Sequence, residues 1–115
     1  MPVIDPSNPD WDRLYLTNVL LGGSFASRIT SNIREQKGYT YSPYSDISEL
    51  YKTAYWEQYA EITTSVTGAA MKEIFAEIDK LQAEAPKEPE LAAARSYMIG
   101  TFVLLGVPFL LVVRQ

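Results

Sequence analysis

The chain begins with a segment in which apolar residues recur at helical spacing. Leu14 and Leu21 fall on one face of a predicted helix. Asn8 is a favourable N-cap residue and is followed by Pro9, which suits a first helical turn. The pair Gly22-Gly23 is expected to stop this helix.

A second helical pattern follows directly. Ser24 is the predicted N-cap, and Phe25, Ile29 and Ile33 share one face that we expect to be buried. Gly38 is well placed as a left-handed residue at the carboxyl end. The chain therefore opens with two short helices in succession.

The spacing then changes to that of strands. Residues 39–48 are rich in Tyr, Thr and Ser, and Pro43 places this predicted strand at an edge or a bulge. From Trp56 to Val66 apolar and polar residues alternate, which predicts a half-buried strand. Glu57 and Glu61 would share one face of it. Without a histidine or another acid nearby, we interpret them as a solvated strand face rather than a catalytic carboxylate pair.

Helical spacing returns in the last third of the chain. The clearest amphipathic pattern consists of Met71, Ile74, Phe75, Ile78 and Leu81. After a linker at 85–89, Pro89 begins a predicted helix that reaches Met98. The order helix, helix, strand, strand, helix, helix predicts an α+β fold in which an antiparallel sheet packs against helices.

The carboxyl-terminal residues have an unusual composition. From Tyr97 to Val113 the chain carries no charged residue, and Gly106 and Pro108 interrupt this run. The run falls short of the ~20 residues that a transmembrane helix needs. We therefore expect a buried helix end followed by a buried or mispacked strand over residues 107–113, and membrane insertion is disfavoured.

Composition excludes several classes of function. The net charge of −4 without a basic cluster argues against nucleic acid as a partner. The chain has no histidine and no cysteine, so it lacks the usual ligands of zinc, haem and iron–sulfur clusters. The absence of cysteine leaves a cytoplasmic or a periplasmic location open. The first residues lack the basic start and apolar run of a signal peptide.

The most informative residues are the two consecutive motifs Leu20-Leu21-Gly22-Gly23-Ser24-Phe25-Ala26-Ser27-Arg28-Ile29 and Ile33-Arg34-Glu35-Gln36-Lys37-Gly38-Tyr39-Thr40-Tyr41-Ser42. Together they resemble the non-catalytic half of the pitrilysin/insulinase-type zinc peptidases, the family that includes the mitochondrial processing peptidases. Two later segments, 70–74 and 90–100, match that family in the same order. We therefore expect residues 1–115 to be a partial pitrilysin-like inactive domain of the carboxyl-terminal type, with the α/β-roll fold of these metallopeptidases.

The resemblance implies a role for two residues. Arg34 and Tyr41 stand where the family places an Arg and a Tyr that lie opposite the zinc and hold the substrate backbone. A guanidinium and a phenol can donate hydrogen bonds to peptide carbonyls without competing for the metal. Tyr39 is the alternative candidate for the phenol, although its opposite strand parity would turn it to the other face.

The resemblance also implies partners. Zinc is expected in a catalytic domain or subunit that carries a His-x-x-Glu-His motif, and this chain alone is expected to be inactive. The expected substrate is a peptide. The family's complete domain is longer, so unpaired sheet edges and the apolar tail also predict a homo-oligomer. The alternative is a non-proteolytic binding module like the core subunits of respiratory complexes, but the presence of both Arg34 and Tyr41 favours the peptidase.

Overall fold

The computed structural model describes the backbone of residues 1–113 and the side chains of residues 1–105. Its strands are β1 (Pro2–Val3), β2 (Tyr44–Leu50) and β3 (Thr53–Tyr59). Its α-helices are α1 (Trp11–Asn18), α2 (Thr67–Ala83) and α3 (Glu88–Val113). The remaining helical elements are the first π segment (Val19–Gly23), the second π segment (Thr30–Gln36) and a 3-10 turn (Thr64–Val66).

The strands form an antiparallel sheet in the order β1-β3-β2. β2 and β3 pair from Tyr44↔Tyr59 to Leu50↔Thr53. Side chains alternate between the two faces of a strand, so Ile47 is buried under the helices while Tyr44 and Tyr59 stack on the exposed face. The predicted α+β fold, with helices packed against an antiparallel sheet, is confirmed.

Both strands differ from their predicted bounds. Pro43 immediately precedes β2 instead of lying inside it, and residues 39–43 form a loop. β3 ends at Tyr59 because its partner strand begins only at Tyr44, so the alternation beyond it has no strand to pair with. Glu61 therefore lies outside β3 and does not share a strand face with Glu57.

The first helix runs directly into a π segment that ends against the sheet. It begins at Trp11, slightly later than predicted, although the Asn8 side chain still accepts a hydrogen bond from the Asp10 backbone N–H at 2.9 Å. The helical backbone ends at Gly23, as predicted. A Cβ on Gly22 would lie 2.5 Å from the Ser45 Oγ, so glycine allows the helix end to approach β2 closely.

The second helical pattern is confirmed at its two isoleucines and is wrong at Phe25. Ile29 and Ile33 are completely buried, whereas Phe25 is 69% exposed. Ser24 begins a turn, in which its carbonyl accepts a hydrogen bond from the Ser27 N–H, rather than capping the helix. Phe25 lies in this turn, where helical spacing does not apply.

The core lies between the helices and one face of the sheet. One cluster contains Leu21, Ile29 and Ile33, against which Ile74, Ile78 and Leu81 of α2 pack. The predicted amphipathic helix is thus confirmed. Its two other apolar residues, Met71 and Phe75, are 50% and 59% exposed and do not belong to this core.

The prediction for the tail is wrong in its secondary structure. α3 starts at Glu88 and continues through Val113, so no strand forms over residues 107–113. Residues 97–105 contain no proline, and Met98, Leu104 and Leu105 favour a helix. Ile99, Phe102, Leu104 and Leu105 are all more than two-thirds exposed, which contradicts the expected burial up to that point. The expected burial of side chains 107–113 lies outside the described residues.

Within the part of the chain that the structure describes, no helix combines the length and the apolar character required to cross a bilayer.

Candidate functional site

Arg34 and Tyr41 lie together on the wall of one cavity of about 370 Å³. The cavity is formed where the turn after the first π segment, the second π segment and the start of β2 meet. Its lining residues are Gly23, Ser24, Phe25, Thr30, Arg34, Tyr41, Ser42, Pro43, Tyr44 and Tyr97. The two predicted site residues, separated in sequence by a turn, are therefore neighbours in space.

The guanidinium of Arg34 is held by aromatic rings. Its Cζ lies 4.3 Å from the ring centroid of Phe25 and 5.2 Å from that of Tyr41. Both distances are within the range of cation–π attraction. Among the described residues the nearest carboxylate is that of Glu35, 3.4 Å from Nε, and no hydrogen bond from the guanidinium is formed. The N–H groups of Arg34 therefore remain available to an acceptor in the cavity.

A backbone turn carries Tyr41 back beside Arg34. Arg34 lies near the end of the second π segment, and the Gly38 N–H donates to the Arg34 carbonyl at 3.0 Å. Gly38 has φ +65°, as predicted, a conformation that residues with a side chain rarely adopt. The Tyr39 N–H then donates to the Ile33 carbonyl at 2.8 Å, which closes the turn.

The structure distinguishes the two candidate phenols. Tyr39 is half-buried and packs against the core cluster of Leu21, Ile29 and Ile33. Tyr41 is 82% exposed at the cavity. Tyr41 thus has the freedom to contact a ligand, while the ring of Tyr39 contributes to packing.

The sequence interpretation assigned Phe25 to the core and missed its contact with Arg34. Phe25 is largely exposed, yet its ring is the nearest aromatic neighbour of the guanidinium. The only indication in the sequence was its position in the same motif as the Gly-Gly pair. The Phe25 ring covers part of the Arg34 guanidinium and lines the same cavity.

A second interaction that sequence reasoning missed joins the first motif to the segment that begins at Glu90. Arg28 donates two hydrogen bonds to Glu90, from Nε at 2.5 Å and from Nη2 at 2.9 Å. These bonds hold the pKa of the Glu90 carboxyl below its ordinary value. The pair connects Arg28, two residues before the second π segment, to the first turn of α3. It keeps the helix that bears Arg34 in place relative to α3.

The carboxylate of Glu57 lies apart from this cavity, on the exposed face of the sheet. It accepts hydrogen bonds from the Ser48 hydroxyl at 2.5 Å and from the Tyr59 hydroxyl. The bond from Ser48, followed by that from Tyr59, lowers the pKa of Glu57. The same carboxylate raises the pKa of Tyr59 to about 12. An acid held ionised in this way is poorly suited to proton donation, in keeping with the interpretation as a solvated face.

The described side chains contain no group of three or more His, Cys, Asp or Glu residues placed to hold a metal ion. The chain as a whole has no histidine. The residues of the cavity, chiefly Arg, Tyr, Phe and Ser, are donors and packing groups and do not fit a zinc site.

Comparison with known proteins identifies the family. Residues 1–98 match the family described as the peptidase M16 inactive domain. The chain belongs to this family, whose description fits both the fold and the motifs that surround Arg34.

Solved structures share the fold. The crystal structure of a peptidase M16 inactive domain from Pseudomonas fluorescens is 25% identical to this chain, with a TM-score of 0.77 over 85% of it. A conserved protein from Enterococcus faecalis V583 is 19% identical and has a TM-score of 0.78 over 88% of the chain. The chain spans 24% and 23% of these two proteins, about a quarter of each. No curated protein matches it.

Proposed function

We propose that this chain is the substrate-holding part of an M16-type peptidase, in which Arg34 and Tyr41 bind the backbone of a peptide. The observation that carries the proposal is the shared cavity, where an arginine without a hydrogen-bond partner among the described residues meets an exposed tyrosine. The guanidinium of an ordinary surface arginine is free to move in solvent and is not packed against aromatic rings. Here Phe25 and Tyr41 limit its freedom, so less entropy is lost when it binds a ligand.

The chemistry of the two groups defines the acceptor. A guanidinium carries only hydrogen-bond donors, and a phenol donates through its hydroxyl. A peptide in extended form presents carbonyl oxygens along its length. Arg34 and Tyr41 would each donate to such an oxygen, which orients the peptide and stabilises negative charge that develops on a carbonyl.

The catalytic chemistry would come from a partner. A domain or subunit with a His-x-x-Glu-His motif would hold zinc, which supplies an activated water and polarises the carbonyl under attack. The residues of this chain would hold and orient the peptide on the opposite side. This arrangement agrees with the family's description as an inactive domain and with the lack of histidine in this chain.

The test is kinetic and uses the chain assembled with its catalytic partner. Arg34→Ala and Tyr41→Phe should each lower kcat/KM about 10- to 100-fold, because each removes a hydrogen bond to charge in the transition state worth about 1.5–3 kcal/mol. Zinc content and thermal stability should not change. Tyr39→Phe is the matched control and should leave kcat/KM near that of the unmodified chain.

Unchanged kinetics in both variants would contradict the role in catalysis. An assembly that binds peptide but cleaves none would instead identify a non-proteolytic binding module of the same fold. Either result is distinguishable from simple misfolding, because the folded state is monitored separately by circular dichroism.

A further inference from the structure

A second and larger cavity, of about 550 Å³, lies beside the cavity of Arg34 and Tyr41. Its walls come from α1, the first π segment, β2 and α3. Gly23 and Tyr97 line both cavities, so the two meet at these residues. An extended peptide advances about 3.3 Å per residue. A peptide held by Arg34 would therefore bring a nearby side chain to the mouth of the second cavity.

The lining of this second cavity is mainly apolar. Val19 lies at its inner side, and Met98, Phe102 and Leu105 of α3 form much of its wall. A volume of this size falls within the usual range for ligand pockets and is ample for one large side chain.

The polar groups of the cavity do not require hydrogen bonds from an occupant. Asn18 is 5% exposed, and its amide already bonds to Ser45 and Trp56. Among the described residues of the lining, Asp46 is the one that carries a charge, and its side chain is exposed. An apolar occupant would leave no polar group of Asn18 without a partner, whereas an acidic one would meet the Asp46 carboxylate.

We infer that this cavity is a subsite for a large apolar or aromatic side chain of the same peptide whose backbone is held by Arg34 and Tyr41. The inference rests on the proposed function and adds a side-chain preference to it. Phe and Leu should be preferred over Ala, and Asp should be disfavoured.

Methionine methyl groups provide a direct measurement. The chain contains only three methionines. Met98 lines the second cavity, while Met71 lies on α2 and lines neither cavity. With ¹³C-methyl methionine in the 115-residue chain, the probes are neutral Ala/Gly/Ser peptides that carry a single Phe, Leu, Ala or Asp. The Phe peptide should shift the Met98 methyl signal, leave that of Met71 in place, and bind about 10- to 100-fold more tightly than the Ala peptide.

Variants at Thr101 and Arg34 separate the subsite from the backbone clamp, by which we mean Arg34 and Tyr41 bound to the peptide backbone. Thr101→Trp fills the second cavity and should abolish the preference for Phe while the Ala peptide binds as before. Thr101→Val, of similar shape, should keep the preference. Arg34→Ala should weaken all peptides by a similar factor and leave the ratio of Phe to Ala affinities unchanged.

The outcomes distinguish failure of the subsite from failure of the clamp. Binding that requires Arg34 but shows no preference for Phe would overturn the subsite alone. If the Phe peptide is preferred but Arg34→Ala changes no affinity, the backbone clamp is overturned, and so is the link between the second cavity and Arg34. A Met98 shift that grows with protein concentration in the absence of peptide would assign the cavity to a second copy of the chain and overturn the inference.

Discussion

Arg28 and Arg34 lie close together on one helical stretch and are exposed to a similar extent, 19% and 22% of their side chains. Their partners differ. Arg28 makes two charge-assisted hydrogen bonds to Glu90. Arg34 contacts aromatic rings and lies 3.4 Å from the Glu35 carboxylate without a hydrogen bond to it. Exposure alone would not separate them. The difference teaches that the paired arginine holds the fold together, while the arginine without a hydrogen-bond partner among the described residues has its donors available for a ligand.

The largest expected effect on stability is at Arg28. Arg28→Ala should lower the free energy of unfolding by about 1.5–3 kcal/mol, because it leaves the partly buried Glu90 without its donor. Arg34→Ala should lower it by less than about 1 kcal/mol, because the change loses cation–π contacts and an ion pair with the exposed Glu35. Urea denaturation of the two variants measures both values. A larger loss for Arg34→Ala than for Arg28→Ala would reverse the comparison.

The pH dependence of the free energy of unfolding provides a control for this prediction. Since Arg28 lowers the pKa of Glu90 in the folded chain, the stabilisation by this pair is present above the ordinary Glu pKa. It is lost as the pH falls through the lowered pKa of Glu90. Arg28→Ala should therefore lose less stability than the unmodified chain between pH 7 and strongly acidic conditions. Equal acid sensitivity of the two would mean that the pair contributes little.

A smaller effect is expected at Phe25. Removing its ring in Phe25→Ala should weaken peptide binding by about two- to fivefold, the equivalent of a cation–π contact of about 0.5–1 kcal/mol. Phe25→Tyr should retain the affinity. Phe75→Ala, which removes another exposed phenylalanine on α2, is the matched control. Equal affinities for Phe25→Ala and Phe75→Ala would mean that Phe25 does not position Arg34.

Removing the end of α3 is expected to have the smallest influence on the stability effects measured at the two arginines. Ile99, Val103 and Leu104 are exposed and do not line the second cavity, and we expect this surface to drive association of two chains. Light scattering over a concentration series should show association of the whole chain and less of it for a chain that ends at Gly100. The stability effect of Arg28→Ala should be the same in both. A monomer at every concentration would contradict the predicted homo-oligomer.

Sequence reasoning located the elements better than their ends. Helical and alternating spacing identified α1, α2 and the two main strands, because burial on one face produces these patterns. The ends depend on tertiary pairing, as at Tyr59, where β3 stops because β2 has not yet begun. α3 was cut short in the prediction because an apolar run without charge fits a helix and a buried strand equally well.

The candidate site could be predicted only in part. Arg34 and Tyr41 were identified through a family resemblance, and Gly38 explained how a turn brings them together. Phe25 was assigned to the core, because helical spacing was extended into a turn that periodicity cannot detect. The bond between Arg28 and Glu90 joins distant segments, and a single sequence contains no physical pattern that specifies such a contact.

The most direct test of the account is the affinity of the chain for a neutral Ala/Gly/Ser peptide with a single Phe, compared between the unmodified chain, Arg34→Ala and Arg13→Ala. Arg13 is an exposed surface residue, with 85% of its side chain accessible, and its replacement removes the same charge. The account predicts that Arg34→Ala binds about 10- to 100-fold more weakly, while Arg13→Ala binds like the unmodified chain. Equal affinity of all three, or equal weakening by both substitutions, would show that Arg34 does not hold the peptide.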